Sequence, residues 1–144
     1  MDARGRLGGL VTGFNLIKSR ISNYWGFVSI MGAKVFSINL SMELTVINVY
    51  GPCLAREYYW NSFFAKSFLK MGNLMVGGDM NFSLGISKVW RPQSRLDPIS
   101  NFFVRKMMEN KLIYINLIRN KPTWWNIRMG NALVAKRLDR FLSK

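Results

Sequence analysis

The chain of 144 residues carries only 7 Asp and Glu and no histidine, so any acid–base chemistry falls on few side chains. Asp79 stands out among them. It follows the apolar run Leu74-Met75-Val76 and the pair Gly77-Gly78. An acid at the end of a buried strand faces the crevice beyond the sheet, where α/β folds hold their ligands. The glycines let the backbone turn sharply and let a ligand come close. Asn81 lies two residues on, on the same side as Asp79 if the extended chain continues. A carboxylate beside an amide can orient a water and hold a phosphate oxygen or a hard cation. The same residues also suit a plain Asx turn. Asp139 lies inside Arg137-Leu138-Asp139-Arg140-Phe141-Leu142, where a surface ion pair with its arginines is the competing reading. Tyr50, just before Gly51-Pro52, is either a phenol aimed at a ligand or a core or rim aromatic. Trp124-Trp125, after Pro122-Thr123, can stack on bases or fill a core. The remaining acids read as ordinary. Asp2 is in the N-terminal tail, Glu43 is beside a turn, Glu57 and Glu109 are on helices, and Asp97 is a helix cap.

These residues need elements to hold them. The N-terminal third reads as strands: Gly8 to Phe14, then Gly26 to Met31 and Lys34 to Leu40 about a turn at Gly32-Ala33. Met42 to Tyr50 is a β-branched strand stopped by Gly51-Pro52. Tyr59, Phe63, Phe64, Ser67 and Phe68 fall near a helical period, which predicts a helix over Glu57 to Leu69, ended by Gly72-Asn73. Leu74 to Gly78 is a short buried strand running into Asp79. Asp97 to Asn110 reads as a second helix, with Asp97 as cap and Pro98 in the first helical position. Leu112 to Ile118, Thr123 to Asn126 and Arg137 to Leu142 are further short strands. The class is therefore α/β or α+β, with more strands than helices, in one unit without repeats or linkers.

Composition narrows the function. Lys and Arg number 21, for a net charge of +14, which favours an acidic partner, nucleic acid first, over a basic surface kept for solubility. The absence of histidine excludes Ser-His-Asp and Cys-His systems within this chain. The single cysteine, Cys53, excludes internal disulfides and Cys-cluster metal sites. No run reaches the roughly 18 apolar residues of a membrane span, and the N-terminus lacks a signal-type core. The expectation is an intracellular chain, nuclear or cytoplasmic, with no membrane partner.

In order along the chain come Asn48-Val49-Tyr50-Gly51-Pro52, Gly77-Gly78-Asp79-Met80-Asn81, Pro122-Thr123-Trp124 and Lys136-Arg137-Leu138-Asp139. This series resembles the endonuclease/exonuclease/phosphatase superfamily, and most closely the endonuclease domain of plant LINE-type (non-LTR) retrotransposons. The resemblance covers nearly the whole chain. It implies a four-layer α/β sandwich of two mainly antiparallel sheets with outer helices, and Mg²⁺-dependent phosphodiester hydrolysis. By resemblance, Asp79 orients and activates the attacking water. Asn81 helps to hold the scissile phosphate and to position Asp79, and these two lie on the metal side. Tyr50 contacts the phosphate or leaving group, Asp139 supports a catalytic histidine, and Thr123 lies on the DNA-binding rim.

The sequence also departs from that family. The family's Asn and metal-binding Glu lie before the region that this chain covers, and its closing Ser-Asp-His motif lies after it. Cys53 stands where relatives often carry Asn. The resemblance therefore implies a partial domain over residues 1–144, incomplete at both termini, with open sheet edges, exposed apolar surface and little or no nuclease activity alone. A catalytically dead nucleic-acid-binding remnant is the second reading. A phosphoesterase acting on a small phosphoester or phosphoinositide is the third.

Overall fold

A computed structural model describes residues 10–91, 94–128 and 130–144. Its largest element is a six-stranded sheet, ordered β1-β2-β3-β4-β9-β6. β1 (Ser19–Phe27), β2 (Ile30–Ser37) and β3 (Met42–Tyr50) form an antiparallel meander. In β3, Thr45, Ile47 and Val49 alternate onto one buried face, as a period of two demands, and Gly51-Pro52 ends the strand as expected. β4 (Leu74–Asp79) then pairs parallel to β3. A parallel pair needs a crossover. That crossover is α1 (Arg56–Phe64) followed by a 3-10 turn at Ser67–Lys70. β9 (Asp139–Ser143) returns antiparallel to β4, and β6 (Ile113–Tyr114) pairs with β9 at the edge. A second sheet has three short strands in the order β5-β8-β7: β5 (Val89–Trp90), β8 (Ala135–Lys136) and β7 (Trp124–Trp125). The fold is a mixed α/β one with two mainly antiparallel sheets, as the sequence predicts.

Both helices cover the same face of the large sheet. Trp60 and Phe63 of α1 and Phe103 and Met107 of α2 (Ser100–Glu109) pack with Ile47, Val49, Val76 and Leu142 from the strands. Trp60 is fully buried, with the Phe103 ring at 4.9 Å and the Phe63 ring at 5.2 Å, both edge-on. Edge-to-face geometry suits the ring quadrupoles, and each large side chain buried contributes about 1.5–3 kcal/mol. Among the described residues, no helix is long and apolar enough to cross a membrane.

Several expected boundaries are corrected. The first hairpin turns at Val28-Ser29, not at Gly32-Ala33. Gly32 lies within β2 opposite Trp25, and a Cβ there would enter the indole ring, so this glycine serves packing rather than turning. Of the expected strand Gly8 to Phe14, Gly8 and Gly9 lie outside the described residues, and residues 10–14 form no strand. The first helix stops at Phe64, and Phe68 and Leu69 reach the core from the 3-10 turn instead. The second helix begins at Ser100, three residues later than expected. Asp97 forms a turn ahead of it, accepting the Ile99 N–H at 3.3 Å, while its carboxylate pairs with Arg56. The last strands are shorter than expected. β9 starts at Asp139 itself, which moves that acid from the strand interior to its end.

Candidate active site

Strand register brings the predicted residues together. Tyr50 is the Cα partner of Asp79, and Asp79 is the partner of Asp139. Three adjacent strand ends thus carry Tyr50, Asp79 and Asp139 in one row. Directly opposed residues share a face, so all three point away from the helical core. With strands about 4.8 Å apart, the row spans about 10 Å. Backbone bonds beyond the strand ends hold the row: Gly51 N–H donates to the Asp79 carbonyl at 2.6 Å, and Met80 N–H to the Leu138 carbonyl at 3.1 Å. Gly78, just before Asp79, has φ of +136°, and a Cβ there would fall on the Val49 carbonyl oxygen. Only glycine permits β3 and β4 to approach this closely at that angle.

Asn81 is corrected in its geometry. The chain does not stay extended after Asp79: Asn81 has φ of +54°, and its N–H donates to Asp79 Oδ1 at 2.8 Å. That is an Asx turn, and it presents the Asn81 side chain to the loop after β3, where Nδ2 donates to the Gly51 carbonyl. The nitrogen is committed to that loop, and the oxygen is the side chain's remaining polar group. The turn and the functional reading are thus compatible.

Asp79 is half-buried, and burial raises its pKa above the ordinary carboxylate value. The Asn81 N–H opposes that rise, the Asp139 charge adds to it, and the Arg140 cation opposes it. Both effects follow from charge placement, since a neighbouring anion disfavours ionisation and a cation favours it.

Thr123 lies beside this row. Its Oγ1 accepts the N–H of Leu138 at 3.0 Å and of Asp139 at 3.2 Å. Its own N–H donates to the Lys136 carbonyl at 2.9 Å. Thr123 therefore ties β7 to the start of β9, a positioning task that the sequence did not reveal.

The arginines around Asp139 overturn the surface ion-pair reading. Arg137 is buried, and its Nη1 donates to the carbonyls of Arg119 and Lys121 at 3.3 and 3.1 Å. Arg140 is 1% exposed. Its Nη2 donates to the carbonyls of Phe82 and Arg137, and its guanidinium lies 4.7 Å from the Phe82 ring centroid. Burial lowers its pKa to about 10. This side chain joins the loop after Asp79 to the segment before Asp139. Alternation with the buried Leu142 was the sequence signal that could have placed it inward. A second support was also missed: Arg56 pairs with Asp97 at 3.0 Å and donates to the Asn81 carbonyl at 3.4 Å.

Among the described residues there is no group of three or more His, Cys, Asp or Glu able to hold a metal ion. The oxygen donors in the row are the two carboxylates and the Tyr50 phenol, with the Asn81 side-chain oxygen on the turn that follows.

A solved structure with a similar fold is the endonuclease domain of TRAS1, a telomere-specific non-LTR retrotransposon, with a TM-score of 0.64. The match is 19% identical and covers 81% of this chain and 50% of that one. This is a likeness of fold, and the chain spans about half the length of that structure. No family model and no curated protein matches the sequence.

Proposed function

We propose that residues 1–144 form part of an endonuclease-like domain that binds nucleic acid and presents a phosphodiester to Asp79, with little or no hydrolysis by this chain alone. The observation that carries this reading is the Tyr50–Asp79–Asp139 row, in a fold shared with a retrotransposon endonuclease domain. The net charge of +14 favours a nucleic-acid partner, and the likeness to a retrotransposon endonuclease domain puts DNA ahead of RNA. An intracellular setting, nuclear or cytoplasmic, follows from such a partner.

Phosphoryl transfer needs an oriented nucleophile, a charge clamp and a stabilised leaving group. Asp79 is the acceptor that orients a water, and its raised pKa suits a base better than an ordinary carboxylate. Tyr50 is half-exposed and offers a phenol O–H to a phosphate or leaving oxygen. Asn81 fixes Asp79 through its backbone N–H and offers its side-chain oxygen. Asp139 has no imidazole to support, because the chain has 0 histidines.

Mg²⁺ takes oxygen ligands, commonly one or two carboxylates with waters and phosphate. Two carboxylates at adjacent strand ends are oxygen donors of the kind such an ion takes. Asp79 and the Asn81 oxygen would be its ligands, with Asp139 alongside. Such an ion supplies charge neutralisation at the phosphate. Loss of members of a catalytic unit costs orders of magnitude in rate, which is the reason for expecting little turnover.

The test is anisotropy of a labelled DNA duplex across salt concentrations, with native protein and Asp79→Asn. The expected result is an affinity that falls linearly in log–log form, by about 0.9 per phosphate neutralised. Asp79→Asn removes a negative charge facing the phosphate and tightens binding. Absence of binding at low salt, or affinity indifferent to salt, overturns the proposal.

A further inference from the structure

The hairpin of the small sheet carries chemistry that the proposed hydrolysis does not use. Trp125, on the edge strand β7, is 57% exposed. Its register partner is Ala135, whose partner on the other side is Trp90. The three side chains therefore share one face. The middle one is a methyl, so two indoles flank it on strands about 10 Å apart.

This strip is anchored next to the acid row. Thr123 lies immediately before β7 and donates its N–H to the Lys136 carbonyl of β8 at 2.9 Å. Thr123 Oγ1 in turn receives the Asp139 N–H at 3.2 Å. The hairpin is held by Asn126. Its N–H donates to the Val134 carbonyl at 3.0 Å, its Nδ2 to the Ala132 carbonyl at 2.8 Å, and its Oδ1 accepts the Val134 N–H at 3.0 Å.

Charge decides what suits the strip. From Asn110 to Leu138 the chain carries Lys111, Arg119, Lys121, Arg128, Lys136 and Arg137 and no Asp or Glu. A half-exposed indole in a wholly basic segment fits a ligand that is both flat and anionic. We propose that Trp125, with Trp90 across Ala135, is a stacking platform for an unpaired nucleobase, with the exposed Lys121 and Arg128 of the same segment drawing in the flanking phosphates. This rests on the nucleic-acid reading above and adds a preference for bases out of a duplex stack. Every base has a π-face, so such a platform tolerates any sequence.

The test uses two single-stranded oligomers of about twelve nucleotides, oligothymidine and its abasic counterpart of equal charge. Each is titrated by anisotropy against the native chain, Trp125→Ala and Trp125→Phe. Trp125→Ala should weaken oligothymidine binding by about 5- to 150-fold, the range for one lost stacked base. Trp125→Phe keeps a π-face and should recover most of it. The abasic oligomer should bind native and Ala proteins alike. Equal loss on both oligomers, a Phe variant as weak as Ala, or no loss at all each overturns the platform, and the last would point to a protein surface as occupant. If the native chain binds neither the oligomers nor the labelled duplex in a salt-dependent way, the nucleic-acid reading itself fails, and if it binds the duplex but neither oligomer, the platform fails. If that binding persists while Trp125→Ala changes nothing, only the platform fails.

Discussion

Thr123→Val keeps the shape of the side chain and removes its one acceptor. In the native fold that oxygen takes two backbone N–H groups, from Leu138 at 3.0 Å and Asp139 at 3.2 Å. Leu138 is buried, so water cannot easily replace the lost acceptor there. Each such bond is worth about 0.5–1.5 kcal/mol net, which puts the pair at about 1–3 kcal/mol. For a urea slope of about 1–3 kcal/mol per molar, that shifts the unfolding midpoint down by about 1 M. Urea titration followed by circular dichroism reads this directly. Thr123→Ser restores the acceptor and should recover most of the loss. A valine variant within about 0.5 kcal/mol of native, the range of ordinary surface substitutions, refutes the reasoning. So does a serine variant as unstable as valine.

Gly78→Ala combines a φ of +136° with a Cβ placed on the Val49 carbonyl oxygen of the neighbouring strand. Backbone strain of about 1–3 kcal/mol plus similar overpacking removes much of a typical stability of about 5–15 kcal/mol. A thermal melt should show a weakened or lost cooperative transition, and an unchanged melting temperature contradicts the account. Asp79 holds its proton more tightly in the folded state than in the unfolded chain. Its ionisation therefore erodes stability as pH rises from the ordinary carboxylate range through the raised folded value. Asp79→Asn should then melt higher than native at neutral pH, with the gap closing near about pH 3, below both values. A gap that widens on acidification has the wrong sign and rejects the burial argument.

Local pattern reached the central strands better than it reached their neighbours' boundaries. Met42–Tyr50 and the run into Asp79 were legible because apolar alternation and Gly-Pro or Gly-Gly punctuation agree there. Gly32 misled, because a glycine that makes room for the Trp25 ring looks the same in sequence as a glycine that turns. The true turn uses Ser29 at φ of +63°, with no glycine to mark it. Asp97 misled because its long-range partner Arg56 outweighs the local capping role. The row of Tyr50, Asp79 and Asp139 is a matter of register between strands far apart in the chain, which no local pattern encodes. Thr123 and Arg140 act through such distant partners too, and their positioning roles emerge only once β9 is set against β4.

The central claim is that this chain holds a phosphodiester site without enough machinery to turn it over. Nicking of supercoiled plasmid tests it most directly, with purified folded chain in Mg²⁺ and in EDTA, beside Asp79→Ala. The expected result is no nicking above the Asp79→Ala background in either condition. Mg²⁺-dependent nicking that disappears in Asp79→Ala contradicts the claim, and would require other residues of this chain to replace the missing imidazole.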